Sequence, residues 1–250
     1  MKFSIDLDVK SYEVDSRSVI RPSVILQYMQ EAMEKQMQKS DMGYKELFDI
    51  KRLAFIVSRM SIEIFKTIKQ NDKLRVNTWC GMCKGAIYPR YYEILRGNDV
   101  CVRASSKWGL VGVDKKNILL DGEYDISAYP IDDEIKLGIP DRVRQPRDID
   151  YKHIADIEVR YSKIDINKHI NNTMYADLLY DYIPQIDEYN LTSMNFRFVH
   201  EARIGDVLSI YVSDFMPPSV VDTKAEKIIY IHSKVDGKKN VEASFGLKKR

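Results

Sequence analysis

The chain has 250 residues, 44% apolar and 30% charged, which is enough to bury one large core or two ordinary ones and too apolar for a disordered polymer. Thirty-nine Lys and Arg against 37 Asp and Glu leave a net charge of +2. That excludes a global pull toward nucleic acid or a membrane surface, so any charge-driven partner must be met by a local patch. The opening residues alternate apolar and polar without a signal-peptide core, and no apolar run approaches the about 20 residues that span a bilayer. Three cysteines argue against a disulfide framework and for a reducing compartment, expected to be the cytoplasm.

In chain order, alternation over about 3–13 predicts a strand. Pro22 suits a first helical turn, and Ile25, Met29, Met33 and Met37 follow at helical spacing, predicting a helix. Strands come next, joined by polar turns such as Gln70-Asn71-Asp72 and Arg96-Gly97-Asn98-Asp99. Trp79-Cys80-Gly-Met-Cys83-Lys84 has thioredoxin-like redox spacing, but that chemistry needs the first Cys at a helix N-terminus. Here the motif ends a strand and another strand follows it, so a redox role is disfavoured. No second Cys pair offers a zinc site, and no metal or cofactor is implied. From Pro130 to about Lys152, three prolines and many charges predict a linker. Its basic run, Arg142-Val-Arg144-Gln-Pro-Arg147, reads as solvated surface, with an acidic partner as the alternative. A second strand (about 153–161) precedes a second helix, capped at Asn171 or Asn172 with the stripe Met174, Leu178, Tyr182. More strands follow, with a turn at Asp236-Gly237-Lys238-Lys239. His153 and His232 read as surface residues. His200, beside Glu201 on a strand, should face the opposite way.

The chain repeats itself. Asp6-Leu-Asp-Val-Lys10 meets Asp156-Ile-Glu-Val-Arg160 at an offset of 150. Met60-Ser-Ile-Glu-Ile-Phe65 meets Met194-Asn-Phe-Arg-Phe-Val199 at 134, and Val102-Arg-Ala-Ser105 meets Val241-Glu-Ala-Ser244 at 139. The drop from 150 to 134 means 16 extra residues between helix and next strand in the first half. One helix followed by a run of strands, twice, predicts an α+β architecture with each helix packed on an antiparallel sheet. The predicted division is a first repeat over 1–130, a linker over 131–152 and a second repeat over 153–250.

Asp165-Ile-Asn167-Lys-His169-Ile-Asn171-Asn172 concentrates the groups able to do chemistry. In extended backbone Asp165, Asn167 and His169 share one side, with Ile164, Ile166 and Ile170 anchoring the other. A carboxylate, an amide and an imidazole beside a helix N-terminus suit acyl transfer. Fully extended, Asp165 and His169 stand about 13 Å apart, so this reading requires a bend. A purely structural reading stands beside it, in which Asp165 and the asparagines are turn and capping residues.

Asp-x-Asn-x-His-x-Asn-Asn ahead of an apolar, Tyr-containing helix resembles the active-site segment of plant and bacterial acyl-acyl carrier protein (ACP) thioesterases. Ser105-Ser-Lys-Trp108-Gly-Leu-Val-Gly-Val-Asp114 resembles the closing strand of that family's first domain, and Phe198-Val-His-Glu201-Ala202 the stretch supplying a catalytic Glu. The resemblance implies a tandem double hotdog, each repeat a long helix wrapped by an antiparallel sheet. It implies hydrolysis of fatty acyl-ACP, with Asp165, Asn167, His169 and Glu201 as catalytic residues and acyl carrier protein as partner. No nucleic acid, membrane span or cofactor is implied, and a homodimer is left open. Plant members often carry Cys after that Glu; Ala202 here implies carboxylate-based catalysis. The methionine stripe reads first as core and second as the wall of an acyl pocket. Of the alternatives, an acyl-CoA thioesterase lacks a visible phosphate loop, and a non-catalytic acyl-binding protein would not need all four groups. Dehydratases share the fold, so fold alone does not choose the chemistry.

Overall fold

The computed structural model describes residues 2–115, 117–120, 122–123, 125, 127–132, 137, 145–146, 148–218 and 224–250. Strands β1 (Phe3–Asp8), β2 (Leu53–Ile64), β3 (Lys73–Cys80), β4 (Tyr88–Arg96), β5 (Asp99–Gly112) and β6 (Asn117–Ile118) belong to the first half. Strands β7 (Tyr151–Glu158), β8 (Tyr189–Phe198), β9 (Val207–Ser213), β10 (Lys227–Val235) and β11 (Lys238–Lys249) belong to the second. Among the described residues they form one antiparallel sheet in the order β1-β3-β4-β5-β2-β8-β11-β10-β9-β7, with β6 beside β5. Arg142, Arg144 and Arg147 of the predicted linker lie outside the described residues.

The sheet's register carries the repeat. Asp6 pairs with Arg75, and Asp156, 150 further on, pairs with Ser209, 134 further on. Glu63 pairs with Arg103, and Arg197 with Glu242, at offsets of 134 and 139. The halves join where β2 pairs with β8, and there Ser61 sits opposite Asn195, its own counterpart at 134. A residue facing its own repeat equivalent marks a local two-fold axis. Met60, Ile62, Met194 and Phe196 around that axis are buried in a single core that draws on both halves.

Helix α1 (Pro22–Lys39) starts at its proline as expected. Met29 and Met37 are buried and Met33 packs between two core clusters, in line with the core reading. Helix α2 (Met174–Tyr180) has seven residues, so the expectation of a long helix in each repeat fails in the second half. The physical reason is Pro184, which disfavours helical backbone before it. The 16 extra first-half residues are spent on α1's greater length and a π-helical turn over Lys45–Ile50. Both opening strands are shorter than expected, each giving way to a 3₁₀ turn, Ser11–Glu13 and Tyr161–Lys163. Asp236 and Gly237 both have positive φ, 48° and 75°, the two-residue hairpin turn their pairing predicts.

Candidate active site

The predicted bend between Asp165 and His169 is a closed turn. Asp165 N–H donates to His169 O at 3.0 Å and Lys168 N–H to Asp165 O at 3.0 Å, while Lys168 takes a left-handed φ of 64°. The Asp165 carboxylate holds the turn from inside, its Oδ1 accepting the Asn167 N–H at 2.8 Å. A β-bridge between Ile164 and Ile170 closes its neck. The turn brings His169 Nδ1 to 3.9 Å from Asp165 Oδ1, although extended backbone would have held them far apart. His169 Nε2 lies 3.9 Å from Glu201 Oε1, carried by the loop between β8 and β9. His169 is four-fifths buried, with its ring between two carboxylates. Its Nδ1 is 3.2 Å from the Ile170 carbonyl, which accepts when that nitrogen carries the proton.

Three of the four predicted residues therefore gather. Asn167 is exposed, and the contact recorded for it is its backbone N–H to Asp165, because the segment turns instead of alternating. The same turn leaves Ile166 exposed, against the expectation that it anchors the segment; Ile170 is buried and Ile164 packs on the core. At the helix terminus Asn171 takes a backbone donor, as its capping reading expected, instead of leaving it free for a ligand. Asn171 Oδ1 accepts from both the Thr173 N–H, at 2.9 Å, and the Thr173 hydroxyl, at 2.7 Å, so that donor is already taken.

Two neighbours were not read from the sequence. Arg203 Nη2 lies 3.4 Å from Glu201 Oε2; its i+2 spacing was the available signal. Tyr44, from the first half's inserted segment, is within electrostatic reach of Asp165. Its phenol is pushed up by partial burial, then by the charges of Asp49 and Asp165.

The remaining histidines divide. His153 and His200 are exposed, and His153 pairs with Asp156 at 2.9 Å. His232 is buried, contrary to its reading as a surface residue. It stacks on Tyr211 at 5.0 Å and meets Tyr151 edge-on at 4.8 Å, with Nδ1 unpartnered. Cys80, Cys83 and Cys101 are free and buried, and burial pushes the Cys80 thiol up, away from the reactive thiolate a redox motif needs.

Residues 1–121 match the acyl-ACP thioesterase N-terminal domain model and residues 147–247 match its C-terminal domain model, so the second match contains the whole cluster. The chain belongs to the acyl-ACP thioesterase family. An oleoyl-acyl carrier protein thioesterase of Arabidopsis thaliana chloroplasts is 25% identical over 235 residues, 85% of this chain. The alignment spans 63% of that plant protein's length. An acyl-ACP thioesterase from Bacteroides thetaiotaomicron superposes with a TM-score of 0.80 at 19% identity, covering 99% of this chain and 98% of that one. The 12:0-ACP thioesterase of Umbellularia californica gives 0.79 at 17%, covering 100% and 94%. These structures share the fold. No helix among the described residues is long and apolar enough to cross a membrane.

Proposed function

We propose that this acyl-ACP thioesterase family member hydrolyses the thioester of fatty acyl-ACP, releasing free fatty acid and ending chain growth. The observation that carries the reading is His169 held between Asp165 and Glu201 inside the segment matched by the C-terminal family model. A thiol leaves with a pKa near ~8.5 and needs little acid help, so the demand falls on activating water and on stabilising charge. Glu201 takes a proton from water as its oxygen adds to the acyl carbon, the C–S bond breaks, and the thiolate departs. Asp165 has a prior duty in the turn, which favours Glu201 as the acting carboxylate and leaves Asp165 to steady His169. Asn167, exposed in the free protein, is assigned to the substrate side.

The architecture proposed is a tandem double hotdog: repeats over 1–130 and 153–250, a linker over 131–152, and a shortened second helix. The gap between the two family matches supports that division. The partner proposed is acyl carrier protein and the compartment the cytoplasm; a homodimer is a matter for sizing in solution. The test is hydrolysis of acyl-ACP and acyl-CoA at matched chain length. Higher kcat/KM on acyl-ACP, falling as salt rises, is expected for an acidic carrier meeting local basic clusters. Equal efficiency on acyl-CoA overturns the carrier assignment, and no hydrolysis of either overturns the reading.

A further inference from the structure

A cavity of about 320 Å³, lined by residues of both halves, lies at the position the repeat assigns to the active site's counterpart. Its lining includes Asp15, Val19 and Thr67, which stand where Asp165, His169 and Glu201 stand in the second half. Its floor is apolar: Ile20, Ile25, Ile68 and Val102 are buried beneath it, with Ile64 alongside.

Cations stand around the cavity where the second half has neutral side chains or none. Arg17, Arg21 and Lys66 replace Asn167, Asn171 and His200 of the second half, while Thr67 replaces Glu201. Lys163 joins them from across the axis. Arg17 is committed to Asp15 at 2.8 Å and Lys66 to Asp99 at 2.7 Å. Arg21 donates to the Tyr12 carbonyl, and neither Arg21 nor Lys163 has a carboxylate within ion-pair distance among the described residues. Of the acids lining the cavity, Asp177 is used by the Ser23 N–H at the start of α1, so that terminus is closed to a ligand. Asp181 remains at the rim, its carboxyl pushed up by burial and by the charge of Asp177 and drawn back by the charge of Lys163, which it faces beyond ion-pair distance.

We propose that this cavity binds a fatty carboxylate, with its chain on the isoleucine floor and its head group at Lys163 and Arg21. The ligand class rests on the thioesterase reading, since a free fatty acid is that reaction's product. A neutral thioester gains little from cations that are not held in a close ion pair, whereas a carboxylate forms charge-assisted hydrogen bonds with them. The volume falls near the lower end of small-molecule sites, roughly 300–1,000 Å³, which suits a chain of medium length.

The test is methyl NMR of the full chain titrated with decanoate below its micelle concentration, with decanol as control. Saturable shifts at Ile20, Ile25, Ile64 and Ile68, about tenfold weaker with decanol, are expected. The Arg21→Ala/Lys163→Ala double variant should weaken decanoate binding by about tenfold or more. Silent methyls at those four positions, or equal affinity for decanol, overturn the proposal even if the double variant fails to fold. Decanoyl-ACP hydrolysis is measured on the same sample. Turnover with silent methyls sinks the cavity alone; shifts without turnover sink the thioesterase reading and leave a carboxylate site standing.

Discussion

The turn before α1 and the turn before α2 have the same backbone and different chemistry. Asp15 N–H donates to Val19 O and Ser18 N–H to Asp15 O, as Asp165 and Lys168 do 150 residues later. Ser18 and Lys168 share the left-handed conformation, and each Asp accepts the N–H two residues on. Even the tie to the neighbouring strand recurs, Ile20 N–H to Ile68 O and Ile170 N–H to Ala202 O. The residue the two turns keep is the one that builds them. What differs is Arg17 against Asn167, Val19 against His169, and Thr67 against Glu201. An Asp suffices to hold the loop, so the remaining side chains are free to differ, which fits the proposal that one half alone carries catalysis. The comparison also bears on the two carboxylates: Asp165 is accounted for by folding, and Glu201 is not.

The strongest test of this asymmetry is turnover. His169→Ala and Glu201→Ala are each expected to lose about 100-fold or more, if each acts in the transition state. Val19→Ala and Thr67→Ala should change thermal stability instead of the chemical step. Turnover is measured in all four after circular dichroism confirms folding. Abolished activity in Thr67→Ala, or near-normal activity in His169→Ala, would place the chemistry elsewhere.

A second contrast lies on the sheet. By register, His232 in β10 is the counterpart of Glu93 in β4: Glu93 faces Asn77 and Arg103, and His232 faces Tyr211 and Glu242. Glu93 is paired with Lys2 at 2.7 Å and Arg103 at 3.2 Å, whereas His232 is held neutral between tyrosines. Burial, then Lys239 and Lys234, push its pKa from 6.5 down to about 4. The unfolded chain takes up a proton near pH 6.5 that the native state refuses until about pH 4. The stabilisation is therefore complete above that upper value and lost as pH falls between the two. The slope approaches about 1.4 kcal/mol per pH unit. Urea unfolding at several pH values should show it, and His232→Phe should flatten it; an unchanged slope in the variant would assign the acid sensitivity to other groups.

The smallest effect concerns the cross-axis cap. Asp177 of α2 accepts the Ser23 N–H at 2.7 Å, whereas its counterpart Gln27 reaches only Met174 Sδ at 3.9 Å. Asp177→Ala should cost about 1 kcal/mol, and Gln27→Ala less than about 0.5 kcal/mol, both read from denaturant midpoints. Equal costs would show that the two halves meet more symmetrically than these contacts imply.

The sequence by itself determined the repeat. Strand alternation and turn residues act over a few positions, so offsets of 150, 134 and 139 between similar segments translate directly into paired strands. It also singled out the segment holding Asp165 and His169, and the family resemblance added Glu201. Tertiary structure decided what depends on neighbours remote in the chain. Ala202 receives the Ile170 N–H beside the Asp165 turn, and the neighbouring Glu201 stands by His169. His232 is buried because Tyr151 and Tyr211 close over it from two other strands. Periodicity states which face of a strand a residue occupies; only packing decides whether that face sees water.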